Sequence, residues 1–368
     1  MEISINNLTA DELAVYKLRN LYEKYGYSKY KMGKFEEYDF YSNNKDFLIS
    51  DNIITFTDTN GKLMALKPDV TLSIIKNIKH ENSLDLKKLF YCENVYRVSG
   101  VDRRFKEIMQ VGLEAVGKID VYTVCEVLTL AVESLRSVSE SCILEISDVG
   151  ILYDIVCGMG IKENDIHDLF EEISRKNISA VIGRFKNYNV DQKYIDSFEK
   201  LVTAFEDPVS ALEILRNEFT GLVDSERLEE FRKIVEAMDS NDLGDYIRID
   251  FSLINDIRFY DGIIFKGYIE NIPVSVLSGG QYSKLLKKFG LNAGAIGFAF
   301  YTDALERVNI NQRKYDVDTL VLYDNETSPE KVISTVHKQQ FGNNTVMAVT
   351  EIPKDMRYKE IKDIRGSI

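Results

Sequence analysis

The chain has 368 residues, of which 45% are hydrophobic, and a formal net charge of −13. An acidic chain is a poor match for nucleic acid, which binds clustered Lys and Arg side chains. No apolar run approaches the roughly 18 residues of a membrane span, and the N-terminus lacks the basic-then-apolar profile of a signal peptide, so we expect a cytoplasmic protein without membrane contact. Four cysteines and three histidines lack metal-binding spacing, so we expect no metal site.

The first 150 residues alternate between helical and strand patterns. Apolar residues at helical spacing predict helices over 8–25, 68–78 and 120–137. Strand patterns are predicted over 35–41, 52–68, 87–98, 105–117 and 142–148. The Asn60-Gly61 pair indicates a hairpin turn within the second of these.

Residues 158–242 form a series of short amphipathic helical segments with few strand signals, typical of a helical insertion. Strands then resume over 246–253, 259–271 and 272–280, followed by a helix over 281–290 and, over 293–308, a strand that runs into a helix. The last residues show a compact β-α-β pattern. Hairpin-joined strands with helices gathered between them predict an α+β fold with an antiparallel sheet. We divide the chain into a domain over 1–310 and a short α/β segment over 311–368.

The segment "FKEIMQVGLEAVG", residues 105–117, carries two polar side chains on one face of a strand. Gln110 and Glu114 alternate with apolar residues, and Gly112 lies between them. A solvent-facing strand would explain the amide and the carboxylate but not the glycine, which often marks close approach by a ligand or another backbone. The pattern leaves two alternatives open, a surface strand and the floor of a pocket.

Three further places in the sequence carry candidate binding groups. Asp69 and Thr71 lie at a strand-to-helix junction, where the helix dipole alone favours a carboxylate. Gly279-Gly280 ends a strand just before a helix, which permits close backbone approach or a simple structural turn. Arg97 closes the strand before residues 105–117 and could pair with a carboxylate or a phosphate.

Taken together and in order, six segments resemble the catalytic domain of class II aminoacyl-tRNA synthetases. The resemblance covers residues 8–310 and is strongest to histidyl-tRNA synthetase and its non-catalytic relative, the regulatory subunit of ATP phosphoribosyltransferase. The matching segments are "LYEKYGYSKYKMGKFEEYDFY", "ALKPDVT", the hairpin from Arg97 to Gly117, "FYDGIIF", "GGQY" and "GFAFYTDAL". The resemblance implies a class II synthetase-like antiparallel sheet flanked by helices.

The amino-acid side of the family's pocket is largely matched. In that family, carboxylates and a glutamine bind the amino group of histidine, and tyrosines enclose its imidazole ring. The resemblance therefore implies a histidine-like pocket formed by Asp69, Thr71, Arg97, Gln110, Glu114, Phe259, Tyr260 and Gly279.

The ATP side of the pocket departs from the family. Adenylate formation relies on cations that neutralise charge on phosphate, and the synthetase supplies two arginines for this purpose. The resemblance puts Ala304 and Asn255 at those two positions. Phe259 replaces one of the tyrosines, and Gln281 and Ser283 replace the usual Arg and Asp of a Gly-Gly-Arg-Tyr-Asp strand. The pocket is therefore expected to sense its amino acid without activating it.

These departures favour a regulatory chain without catalysis or cofactor. The resemblance implies a partnership with the short catalytic subunit of ATP phosphoribosyltransferase, self-dimerisation within a hetero-octamer-type assembly, and histidine as effector. Gly33 stands where the family has its dimer-interface proline. Residues 311–368 are shorter than the synthetase's anticodon-binding domain and are interpreted as its remnant, so no tRNA binding is expected. Two alternatives stay open, a divergent histidyl-tRNA synthetase and a stand-alone amino-acid-binding paralogue.

Overall fold

A computed structural model describes residues 8–44, 53–78, 85–98, 104–203, 208–254, 260–307, 315–340 and 344–366. The chain divides into two compact units, one formed by Asp11–Val308 and the other by Met1–Ala10 together with Asn309–Ile368. Each unit has its own sheet, and within the described residues no helix is long and apolar enough to cross a membrane.

Fourteen strands are found within the described residues. They are β1 (Ser28–Lys29), β2 (Phe35–Glu37), β3 (Thr55–Thr57), β4 (Leu63–Leu66), β5 (Lys87–Val98), β6 (Phe105–Gly117), β7 (Cys142–Asp148), β8 (Ile247–Ile249), β9 (Ile263–Ile269), β10 (Leu277–Gln281), β11 (Gly294–Tyr301), β12 (Val317–Leu322), β13 (Val346–Val349) and β14 (Tyr358–Asp363). The larger unit contains an eight-stranded sheet in the order β1-β5-β6-β11-β10-β9-β7-β8 and a small sheet in the order β2-β4-β3. Pairing is antiparallel from β5 through to β7 and parallel only at the two ends of the large sheet.

The helices surround these sheets. They are α1 (Ala10–Lys24), α2 (Tyr38–Ser42), α3 (Thr71–Ile78), α4 (Val121–Arg136), α5 (Val149–Gly158), α6 (Glu163–Ser174), α7 (Ile178–Asn187), α8 (Gln192–Thr203), α9 (Pro208–Phe219), α10 (Ser225–Met238), α11 (Ser283–Lys288) and α12 (Pro329–Gln339). A short 3-10 segment, Thr302–Arg307, follows β11. The predicted α+β class and the helical insertion, which comprises α6 to α10, are both present.

The large sheet separates two hydrophobic clusters. One face packs on α1, α4 and the insertion, and it includes Val111, Leu113 and Ala115 of β6. The other face packs on α2, α3 and α11, and it includes Val116. Strand β6 is therefore buried on both sides over its second half, although its side chains differ in polarity between the two faces.

Some predicted boundaries were wrong for identifiable reasons. Residues 35–41 were expected to form one strand, but the chain forms the short strand β2 and then turns into α2. Alternating aromatic and acidic residues suited both structures, and tertiary packing decided between them. Pro68 was expected in the first turn of its helix, whereas α3 begins at Thr71. Strand β14 was not predicted.

The smaller unit is built around β12. This strand pairs in parallel with β13 on one side and with β14 on the other, and α12 connects β12 to β13. The side chain of Ser328 caps α12 by accepting a hydrogen bond from the Lys331 amide. Leu320 and Val321 of β12 are completely buried, which is typical of a central parallel strand.

Candidate functional site

Glu114 lies at the centre of the candidate site, on the face of β6 that packs on α3 and α11. Its side chain is only 2% exposed. One carboxylate oxygen, Oε1, accepts a hydrogen bond from Thr71 Oγ1 at 2.7 Å, and the other accepts a short hydrogen bond from the Tyr282 hydroxyl. Burial raises the pKa of Glu114 to about 8, against the opposing effect of these two hydrogen bonds. A protonated carboxyl is therefore favoured at neutral pH.

Glycines on two strands provide the space for this arrangement. Gly297 of β11 pairs with Glu114, and the carboxylate occupies the position that a Cβ atom at residue 297 would need. Gly112 pairs with Tyr91 of β5, and the tyrosine hydroxyl occupies the corresponding space at residue 112. The glycine between Gln110 and Glu114 therefore accommodates a neighbouring side chain and a neighbouring backbone.

The segment before α3 brings a second carboxylate to the site. Asp69 Oδ1 accepts a hydrogen bond from the Leu72 amide at 2.8 Å, so the side chain caps the start of the helix. Burial raises the pKa of Asp69, while the nearby Arg97 guanidinium opposes that rise. Arg97 Nε also donates to the Pro68 carbonyl at 3.1 Å, which ties the end of β5 to this segment.

Four tyrosines surround the two carboxylates. Tyr91 and Tyr282 are buried, Tyr260 and Tyr301 are half-buried, and burial raises the pKa of each phenol. The negative charge of Glu114 raises the pKa of three of them further, Tyr91, Tyr260 and Tyr282. The site is thus a group of hydroxyls around acidic side chains, in which a bound cation would be stabilised.

Sequence reasoning missed three of these tyrosines as site residues. Tyr282 and Tyr301 lie inside the segments "GGQY" and "GFAFYTDAL", which were interpreted as motifs without a role for the phenols. Tyr91 was missed although the hairpin register places it opposite Gly112. An aromatic residue opposite a strand glycine is a recognisable signal, because the ring can cover the gap that the glycine leaves.

The other residues expected at the site differ in their placement. Gln110 is 3% exposed and pairs with Tyr301 on β11, on the same face as Glu114. A Cβ atom at Gly279 would meet Phe265 and Phe298 of the large hydrophobic cluster, so this position faces the opposite side of the sheet. Asn255 and Phe259 lie outside the described residues. The burial of both Gln110 and Glu114 excludes a solvent-facing strand here.

Ala304 lies in the 3-10 segment after β11. It is 8% exposed and belongs to the large hydrophobic cluster together with Leu305. A methyl group packed in a hydrophobic core therefore occupies the position at which the resemblance expects an ATP-binding arginine in the synthetase. This position can supply no charge to a phosphate.

A buried ion pair lies beside the site and was not predicted. Lys67, immediately before Pro68, is completely buried, and its Nζ atom donates to Glu93 Oε2 at 2.9 Å. Glu93 pairs with Gln110 across the β5–β6 ladder. Within the residues that the structure describes, no group of three or more His, Cys, Asp or Glu side chains could hold a metal ion.

Comparisons with known proteins place the chain in a family. The family model "Histidyl-tRNA synthetase" matches residues 5–305. A Clostridium botulinum protein named ATP phosphoribosyltransferase regulatory subunit is 28% identical over 324 residues, which cover 84% of this chain and 76% of that protein.

Solved structures show the same fold. A Bacillus halodurans structure described as an ATP phosphoribosyltransferase regulatory subunit/histidyl-tRNA synthetase superposes with a TM-score of 0.79 at 22% identity, covering 98% of this chain and 95% of that one. A chain of the ATP phosphoribosyl transferase (HisG:HisZ) complex from Thermotoga maritima gives a TM-score of 0.63 at 22% identity, covering 78% of this chain and 96% of that one. The expected class II synthetase-like architecture is thereby confirmed.

Proposed function

We propose that this chain, which belongs to the histidyl-tRNA synthetase family, is the non-catalytic regulatory subunit of ATP phosphoribosyltransferase. Curated relatives that match most of its length carry that name. The enzyme joins ATP to phosphoribosyl pyrophosphate in the first step of histidine biosynthesis, as the resemblance implies. In this role the chain controls a separate catalytic subunit and performs no reaction itself.

One observation carries the proposal. The site keeps buried acidic and phenolic groups suited to an amino acid, while the position of an ATP-binding arginine holds Ala304 in the hydrophobic core. Losing one well-placed charged contact with a transition state typically reduces a rate by about 10²–10³-fold. A pocket that keeps its amino-acid groups without this cation is better suited to binding than to adenylate formation.

The proposed effector is histidine, bound between Glu114 and the surrounding tyrosines. Glu114, Asp69 and Gln110 provide acceptors for the amino group, and Tyr260 provides an aromatic wall for the imidazole ring. Arg97 provides a cation for the carboxylate of the ligand. Histidine can control a partner from this site only if it binds two states of the assembly with different affinities.

The proposed partner is the short catalytic subunit of ATP phosphoribosyltransferase, in a hetero-octamer-type assembly in the cytoplasm. We place self-dimerisation on the outer face of the small sheet, where strand pairing puts Phe35, Phe56, Met64 and Leu66 on one side. Phe35 is 59% exposed and contacts Phe56 edge-to-face with 5.3 Å between ring centroids.

Reconstitution with the short catalytic subunit tests the proposal. ATP phosphoribosyltransferase activity of that subunit would be measured alone, with this chain, and with this chain plus histidine. We expect activation by the chain and inhibition when histidine is added. Absence of activation at every ratio of the two chains would contradict the proposed partnership.

A substitution at Glu114 tests whether histidine binds at the candidate site. Glu114→Gln should weaken histidine binding at least tenfold, because it removes the buried carboxylate that faces the ligand's positive charge. Glu107→Gln, on an exposed position of the same strand, is the matched control and should bind like the wild type. Calorimetric titration measures both affinities.

A separate assay tests the synthetase alternative. Histidine-dependent exchange of pyrophosphate into ATP reports adenylate formation directly. We expect no exchange above background, whereas robust exchange would identify the chain as a synthetase and overturn the regulatory proposal.

A further inference from the structure

The side chain of Gln281 closes a gap in the backbone ladder between β10 and the start of β9. Its carbonyl oxygen Oε1 accepts a hydrogen bond from the Ile263 amide at 2.8 Å, and its main-chain carbonyl accepts one from the Asp261 amide at 3.1 Å. A Cβ atom at residue 262 would collide with Gln281 Oε1, so Gly262 is required for this approach. One residue thus binds two amides of the opposite segment.

Asp261, in the segment opposite Gln281, accepts hydrogen bonds from the backbone that follows Gln281. The two carboxylate oxygens of Asp261 accept hydrogen bonds from the Ser283 amide at 3.1 Å and the Lys284 amide at 2.8 Å. These amides belong to the first turn of α11, which otherwise lacks backbone acceptors. We call the four hydrogen bonds that join Asp261 and Ile263 to Gln281, Ser283 and Lys284 the 261–281 clasp.

The clasp lies next to a wall of the pocket. Tyr260 immediately precedes Asp261, and a Cβ atom at Gly280 would lie 2.7 Å from Tyr260 Cδ1. The Tyr260 ring therefore rests on the backbone immediately before Gln281. It also packs against both hydrophobic clusters, so its position depends on the clasp on one side and on the sheet on the other.

We propose that Gln281 is a positioning residue, whose side chain holds the Asp261–Ile263 segment and thereby keeps Tyr260 against Gly280 as a wall of the pocket. The consequence for histidine affinity rests on the proposed function. The bond needs an acceptor at residue 281, and a guanidinium has none. The arginine that the resemblance places here could not make this bond, so it would leave the Ile263 amide without this side-chain acceptor.

Three variants and a control test the proposal on the full chain. Gln281→Leu removes the acceptor, Gln281→Arg introduces the family residue, and Gln281→Glu keeps an acceptor oxygen. Gln340→Leu, at an exposed position that follows α12, is the control. The measurements are amide hydrogen exchange of Ile263, the NMR ring signals of Tyr260 assigned with Tyr260→Phe, and the affinity for histidine.

We expect Gln281→Leu and Gln281→Arg to speed exchange of the Ile263 amide and shift the Tyr260 signals. Both should weaken histidine binding about tenfold, the usual effect of losing one supporting hydrogen bond. Gln281→Glu should keep all three properties close to those of the wild type, and Gln340→Leu should change none of them. In a Tyr260→Ala background, Gln281→Leu should weaken histidine binding no further, since it acts through the tyrosine.

Two results would overturn the proposal. One is that Gln281→Leu leaves the Ile263 exchange rate and the Tyr260 signals unchanged. The other is that it weakens histidine binding equally in the Tyr260→Ala background, which would give Gln281 an independent effect on the ligand. If the wild type fails to bind histidine but the Tyr260 signals respond, the positioning role is supported and the proposed effector is overturned.

Discussion

Glu114 is a carboxylate in a position where burial disfavours its charge. Thr71 and Tyr282 reach it from 43 and 168 residues away in the chain and donate hydroxyl hydrogen bonds. Two neutral donors compensate only part of the loss of hydration. Such a group gains most from a ligand that brings its own positive charge, because the ligand's charge stabilises the ionised carboxylate.

The raised pKa of Glu114 predicts how stability varies with pH. The folded state holds the proton up to about pH 8, whereas an unfolded glutamate releases it near 4.5. The folded state therefore binds more protons between these values, and the contribution of this group to stability falls as pH rises through that window. Glu114→Gln cannot ionise. The free energy of unfolding of the wild type should thus fall relative to this variant by up to about 5 kcal/mol between pH 4.5 and 8.5.

Denaturant titration of both proteins across this pH range measures the difference. Glu107→Gln serves again as the control, because it makes the same change at an exposed position of β6. A constant difference between wild type and Glu114→Gln at all pH values would contradict a raised pKa at this site.

The sequence predicted the polar face of β6 but not its surroundings. A period of two places Gln110 and Glu114 on one face whatever covers that face. Whether solvent or protein lies above it depends on contacts between residues distant in sequence, such as that between Glu114 and Tyr282. The local sequence pattern is therefore equally compatible with a surface strand and with the floor of a pocket. Only the resemblance to the synthetase family favoured the pocket.

At the level of elements, the long strands were the most predictable. The bounds of β5, β6 and β7 agree with the sequence prediction to the residue, since strand propensity and face alternation indicate the same structure. Residues 35–41 gave conflicting signals, and there the prediction failed at the change from β2 to α2.

The glycine at position 297 links two strands to the site, and its replacement should be severe. A methyl group there would meet the Glu114 carboxylate and the Leu113 carbonyl at distances that real structures do not show. Since the backbone oxygen cannot move away, Gly297→Ala should destabilise the protein by more than about 3 kcal/mol and abolish ligand binding.

Gly183 provides a matched control for this substitution. It lies inside α7, and a Cβ atom built there has no neighbour within 4 Å. Gly183→Ala should stabilise the protein by about 0.5–1 kcal/mol, because alanine loses less conformational freedom in a helix. Thermal unfolding of both variants gives the comparison, and equal effects of the two substitutions would argue against the role assigned to Gly297.

For the molecule as a whole, we expect that an arginine introduced at residue 304 would not give the chain adenylate-forming activity. Ala304→Arg would introduce the charge that the resemblance expects in the synthetase at this position, but the side chain would enter the large hydrophobic cluster. An unpaired buried guanidinium should destabilise the protein by several kcal/mol, about 3–5 by comparison with other buried charges. Pyrophosphate exchange should stay at background.

The adjacent exposed position gives the control for this change. Asp303→Arg adds the same side chain in solvent and should leave the melting temperature within a few degrees of the wild type. If Ala304→Arg folded with wild-type stability and catalysed exchange, the core around residue 304 would have retained an arginine-binding space, contrary to its packing.

At the scale of the whole molecule, the small sheet formed by β2, β3 and β4 leads us to predict self-association. Its outer face exposes Phe35 and Phe56 beside Met64 and Leu66, with Glu37 on the same face, and the exposure of these apolar side chains to water is unfavourable. Phe35→Asp should shift the chain toward monomer in sedimentation equilibrium, because a carboxylate placed at the centre of an apolar interface would lose its hydration without a partner.

The control is Phe105→Asp, which alters an aromatic residue that is 73% exposed at the start of β6. It should leave the association constant unchanged. Equal dissociation in both variants would show that charge alone separates the copies, and an unchanged dimer in Phe35→Asp would place the contact on another surface.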